Sequence, residues 1–124
     1  MNKDTMLFHY DDEVDILCFH SKDNYEYEVS QFVTKSIVLD FNENRFPIGV
    51  EILDASKVLN TEKDFIKNIK KGEITIEITE EKIELILSLI IPVDKKTTTV
   101  PVSVVGANKS EIPCIQTEIA VASA

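Results

Sequence analysis

Between residues 83 and 91 every second side chain is a large aliphatic: Ile83, Leu85, Leu87, Leu89 and Ile91. A period of two marks a β-strand with one buried face, because successive side chains of an extended chain point to opposite sides. Just upstream, Ile74, Ile76 and Ile78 alternate with Thr75, Glu77 and Thr79, and Glu80-Glu81 lie between the two runs as an acidic turn. The segment reads as a hairpin. On the other face of the later strand Glu84 gives way to Ile86 and Ile90, so its distal end is apolar on both sides. Such a strand is central in its sheet or meets a partner chain. Pro92 is expected to end it.

The rest of the chain repeats the theme. Residues 6–10 and 14–20 are β-type runs around Asp11-Asp12-Glu13. With those three acids as the turn, Tyr10 pairs with Val14, Phe8 with Ile16 and His9 with Asp15; a one-residue slip would exchange the faces. Residues 25–33 alternate as a half-buried strand after a polar turn at 21–24. Residues 36–41 and 46–53 form the clearest hairpin. A 42–45 loop puts Phe41 opposite Phe46, Leu39 opposite Ile48 and Ile37 opposite Val50, with Asn44 left-handed. Gly49 in that strand signals a close approach. Residues 98–105 hold Pro101 and read as an edge strand. Residues 106–109 read as a turn, residues 114–121 as a last strand, and 122–124 as a frayed tail.

One region departs from period two. Val58, Leu59, Phe65, Ile66 and Ile69 follow helical spacing, with Asp54 as N-cap, a second N-terminal signature at Thr61-Glu62-Lys63-Asp64, and Gly72 as the stop. This predicts two short helices or one bent helix across 55–71, with Lys63, Lys67, Lys70 and Lys71 on a solvated face. The expected fold class is α+β, mainly β: antiparallel sheet built from hairpins with one or two short central helices near 54–71. A chain of 124 residues reads as a single domain, 1–124, that can bury a core without metal or disulfides.

Charge narrows the partners. There are 22 Asp+Glu against 13 Lys+Arg, a net −9, and Arg45 is the only arginine. A nucleic-acid or anionic-membrane surface needs clustered cations, so neither partner is expected. Scarce arginine also disfavours phosphate chemistry. Cys18 and Cys114 lack metal or disulfide spacing and read as buried thiols. With no apolar run long enough to span a bilayer and no apolar leader, the expected compartment is the cytoplasm.

Two strings carry a family resemblance. Tyr10-Asp11-Asp12-Glu13-Val14-Asp15-Ile16-Leu17 resembles an opening Y-D-x-E-x-D-x-L. Ile37-Val38-Leu39-Asp40-Phe41, followed by a polar turn and Ile48-Gly49-Val50-Glu51-Ile52-Leu53-Asp54-Ala55-Ser56, resembles a strand–turn–strand ending in G-I-E-I-L-D-A-S. Together they resemble the domain-of-unknown-function 2283 family of small prokaryotic proteins, over residues 6–60. The resemblance implies a β-rich fold, brings no catalytic residue, and carries an associational hint of companionship with small toxin-like proteins. The chain departs from the family pattern in three places: about sixty further residues at 61–124, a second β-rich part expected to share the core; Asn44-Arg45 in place of an Asp-Gly turn; and His9 in place of a basic residue.

Three sets of side chains are candidate binding residues. Asp11, Glu13 and Asp15 supply carboxylates that hard cations accept, but without the DxDxDG pattern, so turn capping is the favoured role and no metal is assigned. His9 beside Asp15 could form a general base, although no nucleophile accompanies it and a surface ion pair is the plainer account. Asp40, Glu51 and Asp54 could share an acidic pocket; N-capping by Asp54 and exposure of Glu51 are the plainer accounts. No cofactor is expected. The leading functional expectation is a non-enzymatic module that forms a homodimer or binds a small basic protein, in antitoxin-like fashion. The alternative is a small hydrolase or divalent-metal-dependent enzyme using the acidic turn and His9.

Overall fold

The computed structural model describes residues 4–22 and 26–123. Its strands are β1 (Asp4–Asp11), β2 (Ile16–Ser21), β3 (Val29–Thr34), β4 (Ile37–Phe41), β5 (Pro47–Ile52), β6 (Lys71–Ile78), β7 (Lys82–Val93), β8 (Lys96–Ala107) and β9 (Ile115–Ser123), with helices α1 (Ala55–Leu59) and α2 (Lys63–Ile66) between β5 and β6. The fold is α+β and mainly β, as the periodicity predicts. All nine strands join one sheet in the order β3-β4-β5-β2-β1-β9-β6-β7-β8. Every pairing is antiparallel except β1 with β9, which is parallel and joins the two halves.

The sheet rolls around one hydrophobic core. The alternating residues Ile74, Ile76, Ile78, Ile83, Leu85, Leu87, Leu89 and Ile91 are all buried, together with Leu17, Phe19, Leu39, Phe41, Val50 and Ile52 from the other half. Rolling brings the terminal strands β3 and β8 together. The Gln31 amide nitrogen donates to the Ala107 carbonyl at 2.7 Å and its oxygen accepts from the Ser110 amide at 2.9 Å. Gly106 lies against the Val33 backbone, where a Cβ would collide with the carbonyl oxygen. Gly106 is therefore an interior strand residue permitting close backbone approach, not the expected turn. Ala55, Leu59, Ile66 and Ile69 of the helical crossover are buried in the same core.

Several local expectations are corrected. The β1–β2 turn takes four residues, 12–15, with Asp15 left-handed at φ 57°. Phe8 consequently pairs with Phe19, Tyr10 with Leu17 and His9 with Cys18, a slip of three from the three-acid turn. Val14 is 57% exposed in the turn instead of starting a strand. In the β4–β5 hairpin the Asn42 side chain accepts from the Asn44 and Phe46 amides. This draws Phe46 into the loop, so Leu39 pairs with Val50 and Ile37 with Ile52, two residues further on. The shift is even, so the expected faces survive; the left-handed residue is Arg45, not Asn44.

The helical region resolves into two short helices, separated by a left-handed Asn60 at the end of α1. Gly72 and Lys71 belong to β6; a Cβ on Gly72 would sit 2.6 Å from the Ser88 carbonyl oxygen. Pro92 does not end β7, which runs to Val93. β6 stops pairing at Lys71–Ile90, so at Pro92 β7 meets only β8 and the missing N–H on the open side costs nothing. Pro101 does lie in a terminal strand, as expected. Residues 26–28 lie outside β3, Ser21 of the expected polar turn belongs to β2, and Asp23, Asn24 and Tyr25 lie outside the described residues. Ala122 and Ser123 pair with β1 instead of fraying, and Ala124 lies outside the described residues. Cys114 is exposed and Cys18 only partly buried, so the buried-thiol expectation fails.

Candidate functional site

The sheet register divides the motif residues between two faces. On β1, Tyr10 points with Met6 and Phe8 toward the core, and His9 points outward. His9 stands opposite Cys18, and Cys18 stands opposite Glu51. The expected His9–Asp15 pair is therefore not formed. Asp15 sits at the end of the turn, where its carboxylate organises a different contact.

That contact joins the two motif strings. The Ser56 amide donates to Asp15 Oδ1 at 3.0 Å, the Ser56 hydroxyl to Oδ2 at 2.6 Å, and the Tyr10 hydroxyl to Oδ1 at 2.7 Å; the Ala55 amide donates to the Asp15 carbonyl at 2.9 Å. The first amides of α1 are thus capped by a residue from a distant hairpin. Asp54 occupies the N-cap position, as expected, with φ 51°, but makes no side-chain cap bond; the side-chain capping comes from Asp15 instead. Burial would push the Asp15 carboxyl up, but hydrogen bonds from Ser56 and Tyr10 and the charge of Lys63 prevail and hold it below the usual range. The Tyr10 hydroxyl is raised well above its ordinary value, first by burial and then by its bond to Asp15.

The neighbouring acids are engaged locally. Asp11 Oδ1 accepts from the Glu13 amide at 3.0 Å, the expected turn cap. Glu13 is exposed. Asp12, which sequence reasoning did not single out, binds Lys67 at 2.7 Å, and its carbonyl accepts from Lys63 Nζ at 3.1 Å. Part of the lysine face is therefore docked on the acidic turn. The Lys67 hydrogen bond and charge lower the Asp12 carboxyl and raise the Lys67 ammonium.

A second polar group lies on the outer face of β2, β4 and β5. Asp40 is 3% exposed and accepts from the Ser30 hydroxyl at 2.5 Å. Glu51 is half-buried diagonally from it; burial first, then the Asp40 charge, raise its carboxyl. The Cys18 thiol points at Glu51 Oε1 at 3.9 Å and is pushed up to about 11 by burial and by the Glu51 and Asp40 charges. A protonated thiol donor is a poor nucleophile. Asp40 and Glu51 do share a face, as expected, whereas Asp54 is exposed at the start of α1. Among the described residues no group of three or more His, Cys, Asp or Glu side chains is arranged to hold a metal ion. A surface cleft of ≈ 510 Å³ lies between the helices and β8, lined by Leu59, Asn60, Glu62, Phe65, Thr99 and Pro101 among others. Sequence reasoning missed it because it arises where the helical crossover meets β8.

A model for proteins of unknown function (DUF2283) matches residues 7–56, the segment holding both strings. A Methanosarcina mazei protein, provisionally named a hypoxanthine phosphoribosyltransferase, is 32% identical over 106 residues, spanning 86% of this chain and 85% of that protein. The chain belongs to the DUF2283 family. An uncharacterised Methanocaldococcus jannaschii protein is 44% identical over 54 residues, 43% of this chain and 47% of its own length. No solved structure matches the chain. For this DUF2283 protein the paired strings have a physical meaning: Tyr10 and Asp15 come from the first, Ser56 from the second, and they meet at one carboxylate. No helix among the described residues is long and apolar enough to cross a membrane.

Proposed function

We propose that this DUF2283 protein is a non-enzymatic binding module, a rolled sheet that holds another chain: a second copy of itself, or a small basic protein in an antitoxin-like pairing. The observation that carries the reading is the use of the motif side chains for architecture. Tyr10, Asp15 and Ser56 fasten the hairpin turn to α1, and Asp11 closes its own turn. Side chains held this way are poorly disposed to move protons on a substrate. What stays open, among the described residues, is an edge. β8 pairs with β7 on one side, and β3 reaches it at Gly106 and Ala107. Unpaired backbone groups along such an edge are a template for another strand. The net charge of −9 favours a basic partner through electrostatic steering.

The name carried by the Methanosarcina mazei relative would suggest phosphoribosyl transfer. That chemistry calls for a phosphate cradle of backbone amides and cations. Here Gly49, Gly72 and Gly106 all lie within strands, and among the described residues the Arg45 guanidinium donates to the Glu43 carbonyl alone, at 3.5 Å. The hydrolase or metal-enzyme alternative is weakened by His9 standing opposite Cys18 and not Asp15. Light scattering after size exclusion, with recovery of the tagged protein from its native cells, tests the proposal. A defined oligomer or a stoichiometric partner is expected; a clean monomer with no co-purifying protein overturns it.

A further inference from the structure

We infer that the outward face of β6, β7 and β8 around Glu77 and Glu84 is the surface on which a basic protein partner docks. The inference rests on the binding-module reading and goes beyond it by naming the surface and the partner's chemistry.

The register lays the outward side chains out as a grid. One row across β9, β6, β7 and β8 reads Gln116, Glu77, Glu84, Val105; the next reads Glu118, Thr75, Ile86, Ser103. Glu77 and Glu84 are directly opposed across the β6–β7 pair. Like charges in that position destabilise a sheet. Among the described residues no salt bridge reaches either one. The acidic turn between β1 and β2 is treated differently: Asp12 receives Lys67 at 2.7 Å. Lys71 and Lys82 stand on this face too, but at its two ends, outside the two rows.

Beside the opposed glutamates lie two of the exposed large aliphatics, Ile86 at 45% and Val105 at 54% exposure. They are diagonal neighbours, since Ile86 pairs with Ser103 and Glu84 with Val105. Apolar contact flanked by charge of one sign is what a specific interface needs: area from the aliphatics, register and selectivity from the charges. A local rule broken without internal compensation is characteristic of functional surfaces. The charge selects the occupant. A second copy presenting the same face would set glutamate against glutamate, and nucleic acid would be repelled. A basic segment that brackets an apolar side chain with lysine or arginine satisfies both features.

The test compares two double variants of equal net charge, Glu77→Gln/Glu84→Gln and Glu26→Gln/Glu43→Gln, the second pair being exposed elsewhere. The probe is a fluorescein-labelled peptide of alternating lysine and valine, read by anisotropy at low salt. The face variant is expected to weaken binding about tenfold and the charge-matched control less than about twofold. Ile86→Ser/Val105→Ser is expected to weaken it as well. Glu84→Gln alone is expected to raise the urea midpoint, which separates loss of binding from loss of folding. Equal weakening by both double variants overturns the inference, because only global charge would then matter. If the full-length protein still forms an oligomer or recovers a partner in that case, the binding-module reading survives; if it does neither, both fall.

Discussion

Asp15 and Ser56, 41 residues apart in the chain, are joined by two hydrogen bonds at 3.0 and 2.6 Å, and Tyr10 adds a third to the same carboxylate. A capping bond to a charged acceptor contributes about 1–2 kcal/mol. Asp15→Ala is expected to destabilise the fold by about 2–3 kcal/mol, and Ser56→Ala by about 1 kcal/mol, in urea denaturation. The double variant should cost less than the sum, because both changes remove the bond between the Ser56 hydroxyl and the Asp15 carboxylate. Strict additivity would contradict the contact.

Two carboxyls give opposite pH signatures. Asp15 is held below its ordinary range in the folded state. It therefore adds stability above its unfolded pKa and loses it as pH falls through the depressed value. Glu51 is raised by burial and by Asp40, so its ionisation opposes folding as pH climbs through the carboxylate range and beyond. Thermal melts across acidic to neutral pH should find Asp15→Asn less stable than the parent at neutral pH, with the gap closing in acid. Glu51→Gln should be more stable at neutral pH, with its gain also vanishing in acid.

Gly106 lies against Val33 where the two terminal strands meet. The obstacle is backbone, which cannot rotate away. Gly106→Ala is expected to cost about 2 kcal/mol or more and to raise amide exchange in β3 and in the Gly106 end of β8 before the rest of the sheet. Uniform loss of protection would argue against a local seam.

The two thiols should react at very different rates. Cys114 is exposed, whereas Cys18 is pushed up to about 11 and donates toward Glu51. With the thiolate as the reactive species, Cys18 should label roughly a hundredfold more slowly than an ordinary thiol near neutral pH. Mass spectrometry after a brief alkylation should find label on Cys114 alone. Glu51→Gln should speed labelling of Cys18.

The strands whose apolar residues alternate were legible because burial on one face writes itself into the sequence; Ile83 to Ile91 is the plainest case. What was hidden depended on loops and on distant partners. The β1–β2 register turned on one left-handed residue, Asp15 at φ 57°, in a loop whose length no periodicity marks. Gly72 and Gly106 looked like punctuation, yet both are flat strand positions crowded by another strand. The sequence points to Asp54 for the side-chain capping of α1 because a local pattern shows only neighbours along the chain, whereas Asp15 arrives across space. The parallel β1–β9 contact left no local trace at all.

That contact bears on how the chain acquires its shape. β9 follows every other strand in the sequence, yet it sits in the middle of the sheet between β1 and β6. The five-strand block of β1 to β5 closes through hairpins and one nearby pairing, so it can form early. The in-sheet pairing with β6, β7 and β8 waits for the last strand, which closes the longest loop between paired strands. Contacts of such separation slow folding because loop entropy is lost before they are made. Folding should therefore proceed in two kinetic stages, with the second limited by insertion of β9. Until that insertion, the exposed flanks of β1 and β6 are the chain's greatest liability to aggregation.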